Sequence, residues 1–218
     1  MDVRDAVESR RSVRAFRDDP VPDAVVRDLL ERAARAPSGG NLQPWRIFVV
    51  NGDTLGRLHA HLDERDFEAP GYDIYPPGLV EPYRTNRFAV GEQMYELLGI
   101  PREDKAARLA RLAENYRFFG APCGLFCFID KAMGPPQWSD LGMFLQSFML
   151  LARGAGLDTC AQEAWAMRSG AVAGFVGAPD HWMLFCGMAI GHADPDAPVN
   201  TLVSQRQPID EWATFVDG

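Results

Sequence analysis

With 218 residues, 47% hydrophobic and 24% charged, the chain can bury a sizeable core and has the make-up of one ordinary globular domain. Its formal net charge of -8 argues against nucleic acid or anionic membrane as a partner, since both would repel such a surface. No run approaches the ~18 uninterrupted apolar residues of a membrane span, and the opening MDVRDAVESRRSVRAF has no apolar signal core, so a cytoplasmic location is expected.

Apolar residues at helical spacing predict a helix over 2–9 (Val3, Ala6, Val7) and another over 22–36 (Val25, Val26, Leu29, Leu30, Ala33, Ala34). Between them, Arg10-Arg11-Ser12-Val13-Arg14 gathers three guanidinium groups and a hydroxyl within five residues of an acidic chain. Arginine forks pair bidentately with phosphate oxygens, which makes the segment a candidate anion site, although a run of this kind taken alone is more often a solvated basic turn. The second helix runs into Ala36-Pro37-Ser38-Gly39-Gly40-Asn41-Leu42-Gln43-Pro44-Trp45, where regular structure must stop. Its glycines let backbone N–H groups approach a ligand closely, and Ser38 and Asn41 offer orienting polar groups. No GxxxxGK[ST] occurs, nor a GxGxxG after a strand, so neither a triphosphate loop nor a Rossmann turn is expected.

A strand over 45–50, closed by Asn51-Gly52, leads to a helix over 53–63 and then to GYDIYPPGLVEPY, residues 71–83. That stretch is too proline-rich for a helix and too long for a turn, and reads as a lid or substrate loop. Helices over 92–98 and 103–116 precede a strand over 123–129 that is apolar on both faces. The almost wholly apolar run 139–155 is too long for a strand and too short for a span, so it is expected to be the central buried helix. Strands over 159–161 and 182–190 and a polar tail from 195 complete the chain. Cys123, Cys127, Cys160 and Cys186 sit in apolar runs without a CxxC pair, and His59, His61, His181 and His192 lack a ligand-spaced acidic cluster; reduced core thiols and no metal are expected. Because βαβ units do not follow one another regularly, the fold class is α+β rather than doubly wound.

RRSxRxF about ten residues in, followed some twenty-five residues later by PSxxNxQPW, resembles the nitroreductase family. The resemblance continues through Asp158-Thr159-Cys160-Ala161-Gln162-Glu163-Ala164, Gly187-Met188-Ala189-Ile190-Gly191 and Arg206, and so covers essentially the whole chain. It is nearest the nitrobenzoate and dinitroaniline reductase branch in the 71–88 segment and QEAWAMR. It implies a single domain over 1–218: a central, mainly antiparallel sheet sandwiched by helices, a long helix at a dimer interface, an excursion at about 64–100, and a C-terminal extension at about 195–218 reaching a partner subunit.

The same resemblance implies non-covalent FMN in a groove between two subunits. Arg10, Ser12 and Arg206 would hold the phosphate and ribityl end, with Arg11 beside it. Arg14 would lie along the pyrimidine edge, where a fixed positive charge favours the reduced flavin. Pro37, Ser38, Gly39 and Asn41 would reach in from the partner, and the backbone of Glu163 and Ala164 would face flavin N5; Gly191 belongs to the same set. Many relatives carry Gly where Ala164 stands, and some carry Lys where Ser204 stands. Tyr75, Tyr83, Arg84, Arg87 and Phe88 would wall the substrate pocket. No catalytic side chain is implied, because the flavin carries the chemistry: NAD(P)H reduces it, leaves, and an electron-poor nitroaromatic or quinone takes its place in a ping-pong cycle. The same fold also hosts enone-reducing, dehalogenating and flavin-fragmenting relatives, which the FMN-holding residues alone do not separate, and outside enzymes the alternative is a protein that stores or senses FMN.

Overall fold

The computed structural model describes residues 1–216. Strands β1 (Arg46–Asn51), β2 (Cys123–Asp130), β3 (Asp158–Gln162) and β4 (Trp182–Gly191) form one antiparallel sheet in the order β1-β2-β4-β3. The two central strands are covered on both faces, which is why β2 is apolar throughout rather than alternating. Leu125, Cys127 and Ile129 join one cluster with α2 (Asp23–Ala33) and α6 (Pro135–Gly154). Phe126 and Phe128 join the opposite cluster with α3 (Asp53–Asp63) and α7 (Ser169–Val176).

Two glycines set the thickness of that second layer. A Cβ on Gly124 would lie 2.4 Å from the Phe118 ring, and one on Gly187 would lie 2.3 Å from Trp165, itself 0% exposed. Between Cys127 and Phe128 the β2–β4 register shifts, and Phe185 falls out of the ladder. Its freed carbonyl accepts the Tyr72 hydroxyl, which pins the start of the 71–83 segment to the sheet. All four cysteines are buried and unpaired, as the apolar runs predicted.

Several boundaries differ from expectation. The helix predicted from 139 begins at Pro135, because proline suits a first helical turn. Nor is it wholly buried: Leu141, Phe144, Leu145, Phe148 and Ala152 face the core, whereas Ser139, Gly142, Met143 and Gln146 are exposed along the other side. The helix expected from Glu92 starts at Tyr83 as α4 (Tyr83–Leu97), with Pro82 as its N-cap. The run predicted over 103–116 divides into α5 (Lys105–Ala113) and a 3-10 turn over Glu114–Gly120, in which Phe118 and Phe119 take φ of +51° and +55°. The 3-10 turn Glu163–Arg168 and helix α7 are unanticipated, since SGAVAGFV is too glycine-rich and short to show a helical period. Tertiary contacts supply what its propensity lacks: the Glu68 carboxylate accepts from Gly170 N and Ala171 N at 2.6 and 2.8 Å. Among the described residues no helix is long and apolar enough to cross a membrane.

Candidate functional site

The basic segment is fixed by its neighbours before any ligand is considered. Helix α1 (Val3–Ser9) is capped at its start by Asp2 and Asp5, and Arg10 ends it by turning extended. Ser12 bridges Thr159 in parallel, Val13 N donates to Thr159 O at 3.1 Å, and Val13 is fully buried, so the segment lies alongside β3. Asn200, 5% exposed, holds the following turn by accepting from Arg14 N at 2.8 Å and donating to Ala15 O at 2.8 Å and Asp194 O at 2.9 Å. Arg153 ties the end of α6 to the same place through Ser9 Oγ at 3.1 Å and Asp158 Oδ1 at 2.9 Å.

Onto this support the chain brings more positive charge than the motif announced. Burial, and after it the like charge of Arg206, lowers the Arg10 pKa. Arg206 folds onto its own loop, donating to Ser204 O and Ser204 Oγ at 3.0 and 2.8 Å, so Ser204 positions the arginine. Arg111, at the end of α5, donates to Arg14 O at 2.7 Å. The Cys160 thiol lies among them, pushed up by burial and drawn back down by Arg14, Arg111, the Ser12 side chain and Arg10. Among the described residues none of Arg10, Arg11, Arg14, Arg111 and Arg206 makes an ion pair with a carboxylate. Arg10, Arg14 and Arg111, half-buried, with the exposed Arg206 beside Arg10, make a group of like charges without counter-ions that suits an anion.

Ser38, Gly39 and Asn41 are brought together elsewhere. Gly39 N donates to the buried Asp140 carboxylate, at 3.2 Å to Oδ2; Ser38 O accepts from Asn41 N at 2.9 Å, and Ser38 Oγ from Gln43 N at 3.1 Å. Gly40, Asn41 and Gln43 all take positive φ, and Trp45 stacks on Phe144 with centroids 4.8 Å apart. Pro37, Gly39 and Asn41 are exposed. Asp140 and Arg153 mark where α6 meets the two motifs, and thirteen residues of helix separate them by about 20 Å. One chain therefore keeps its two motifs apart.

At the far end of β3, Tyr116 donates its hydroxyl to Ala164 O at 3.2 Å, and Gln162 donates to Asn115 O at 2.8 Å. Glu163 reaches the surface, yet the protein around it pushes its carboxyl pKa up by desolvation. Gly191, buried and paired with Asp158, has its side-chain space taken by Pro122 and Phe16 at 2.9 and 3.1 Å.

Of the proposed pocket residues, Tyr83, Arg84, Arg87 and Phe88 lie together at the start of α4, and Tyr75 packs against that end of the helix. Arg87 lies over Tyr75 at 4.0 Å, Phe88 is covered by Arg102 at 5.4 Å, Arg84 pairs with Glu81 at 2.6 Å, and Tyr83 is 61% exposed. Arg87 is thus the candidate cation left without a carboxylate among the described residues, Arg84 being neutralised. A cleft of about 650 Å³ between Gly71, Trp138, Ala173 and Trp182 contains none of the five. Sequence reasoning missed Arg111 and Asn200: the first reads as one solvated arginine of a basic helix, and the second as a polar residue of an irregular tail. No local signal distinguishes either.

Comparison with known proteins agrees with this geometry. The nitroreductase family model matches residues 7–192. The "Nitrobenzene nitroreductase" of Ectopseudomonas oleovorans is 36% identical, over 98% of this chain and 96% of its own. The "4-nitrobenzoate reductase" of Pseudomonas putida is also 36% identical, over 96% and 93%. The crystal structure of the FMN and NADPH-dependent nitroreductase NfnB from sphigopyxis sp. strain HMH superimposes with a TM-score of 0.94 at 47% identity, covering 100% of both chains. The arginine segment along β3, the four-stranded antiparallel sheet and these full-length likenesses agree, and the chain belongs to the nitroreductase family.

Proposed function

We infer that this chain is an FMN-dependent reductase that oxidises NADPH and reduces nitroaromatic or quinone-like acceptors as a cytoplasmic homodimer. The observation that carries the reading is the unpaired arginine group beside β3. Its chemistry suits a phosphate and an electron-rich ring edge, and the similar NfnB is FMN and NADPH-dependent.

When bound, FMN supplies a two-electron carrier between a nicotinamide and an electron-poor acceptor. Arg10, Ser12 and Arg206 would hold its phosphate, with Arg11 adding charge at the rim, and Arg14 would face the pyrimidine edge. From Thr159, where the basic segment is bridged, four residues of β3 lead about 13 Å to Glu163 and Ala164. That distance lets the arginines grip one end of an extended ligand while the backbone of Glu163 and Ala164 orients the other. Tyr116 holds Ala164 O and so sets that backbone's tilt.

Pro37, Ser38, Gly39 and Asn41 would complete the site from a second copy. Two α6 helices packed antiparallel about a two-fold axis would set the 37–41 loop of one chain beside the Arg10–Arg14 segment of the other. The exposed α6 face and the exposed Ile209, Trp212 and Phe215 of the C-terminal extension support that arrangement; residues 217–218 of the extension lie outside the described residues. Anaerobic mixing of the FMN-loaded protein with NADPH or NADH, then with a nitroaromatic, quinone or enone, tests the reading. Rapid bleaching by NADPH, fastest reoxidation by the nitroaromatic and parallel double-reciprocal plots are expected. A protein that refuses FMN overturns the assignment, and one that binds FMN but resists bleaching is a store rather than a reductase.

A further inference from the structure

Arg111 is a costly residue that the fold alone does not justify. Its Nη2 donates to Arg14 O at 2.7 Å and its guanidinium lies 5.0 Å from the Phe119 ring centroid, but its Nε is buried with no hydrogen-bond partner. Burial lowers its pKa, the Arg14 charge adds to that effect, and nearby Glu114 opposes it without forming an ion pair. Desolvating a guanidinium beside another cation is unfavourable unless an anion completes the set. The neighbouring Arg10, Arg14 and Arg206 are equally unpaired among the described residues. A helix residue 97 positions from Arg14 has thus been brought beneath the basic segment, gripping its backbone rather than a carboxylate.

We propose that Arg111 is a positioning residue of the FMN cradle, bracing the Arg10–Arg14 segment through the Arg14 carbonyl and adding an unpaired positive charge that favours the reduced flavin. The proposal rests on the FMN reading above. It separates two contributions of one side chain: the fork fixes geometry, and the charge adds to the field felt by the isoalloxazine edge.

The test compares wild type, R111M and R111K by titrating apoprotein with FMN, followed by flavin fluorescence, and by measuring the midpoint potential of the bound flavin. R111M is expected to bind oxidised FMN about tenfold more weakly and reduced FMN about a hundredfold more weakly, which for a two-electron couple lowers the midpoint by about 30 mV. R111K, keeping the charge and losing the fork, is expected to recover the midpoint and not the affinity. Wild-type affinity and midpoint in R111M would overturn the proposal, as would weakened affinity with an unmoved midpoint, which a purely structural brace would give. If R111M fails to fold, wild-type affinity in R111K decides against the proposal. Wild-type protein that does not bind FMN removes the flavin reading and the proposal with it, an outcome distinct from the other three.

Discussion

Gly187 lies where the second core layer meets the sheet, with Trp165 packed where a side chain would begin, 2.3 Å from an ideal Cβ. The indole is fully buried and gives its Nε1 hydrogen to Gln162 Oε1 at 3.3 Å, so it cannot retreat without losing that bond. Overpacking of this kind costs about 1–3 kcal/mol, and at this chain length each kcal/mol lowers Tm by roughly 2–4 °C. G187A is therefore expected to melt several degrees lower, and calorimetry showing an unchanged Tm would mean Trp165 has room that the packing denies. His59 carries the pH dependence at this scale. Its Nε2 is buried without a partner; burial first, and then the Arg117 charge, lowers its pKa from 6.5. The unfolded chain takes up this proton before the native one does, so the native state binds fewer protons in the window below 6.5 and loses stability there as pH falls. H59Q should flatten that limb: its Tm relative to wild type is expected to rise as pH is lowered from about 7.5 to about 5.5, where an ordinary histidine becomes charged.

The 64–72 segment shows how an element with little core of its own is held by a few anchors. Arg168, 7% exposed, donates to Arg65 O and Leu62 O at 2.6 and 2.7 Å and lies 4.5 Å from the centre of the Phe67 ring. Glu68 then caps α7, and Tyr72 reaches Phe185 O. Hydrogen bonds to a charged group are worth about 1.5–3 kcal/mol each, so R168M is expected to cost at least about 2 kcal/mol. The cut sites of a limiting protease should appear first within 64–83, and cleavage confined to other loops would show that this anchor does not govern the segment. None of these anchors was legible in the sequence, because each joins residues more than 50 positions apart. What could be read were periodic elements: α2, α3 and the doubly covered β2 have their apolar spacing written locally. The Arg10–Arg14 and Pro37–Asn41 segments could be read for the same reason, each being a short run of unusual composition. Helix α7 could not, since its start is stabilised by Glu68 from outside, and Arg111 could not, since its contact with the Arg14 carbonyl joins residues 97 positions apart.

At the scale of the molecule, the separation of the two motifs along α6 decides how a shared cofactor site could be built. Asp140 holds the 37–41 loop and Arg153 holds the end of α1, about 20 Å apart along α6, so within one chain the two motifs are anchored to separate parts of that helix. If two copies share the site as proposed, assembly and cofactor binding are linked: ligand bound across the interface would stabilise the dimer, and the dimer would create the ligand site. Gly142 allows the two to be tested without disturbing the fold, because it lies on the exposed face of α6 and a side chain there meets nothing within 4 Å. Replacing an exposed helical glycine also favours the helix by up to about 1 kcal/mol. G142R is accordingly expected to keep or raise the stability of the single chain while its bulk and charge separate two α6 helices. Light scattering should then give the mass of one chain rather than two, and FMN titration of the same sample should show affinity reduced by at least about tenfold, the loss of roughly one bidentate set of contacts. A G142R protein that remains a dimer with full FMN affinity would place the interface elsewhere. A monomer that still binds FMN as wild type does would show that one chain completes the site, with the Pro37–Asn41 loop serving only its own helix.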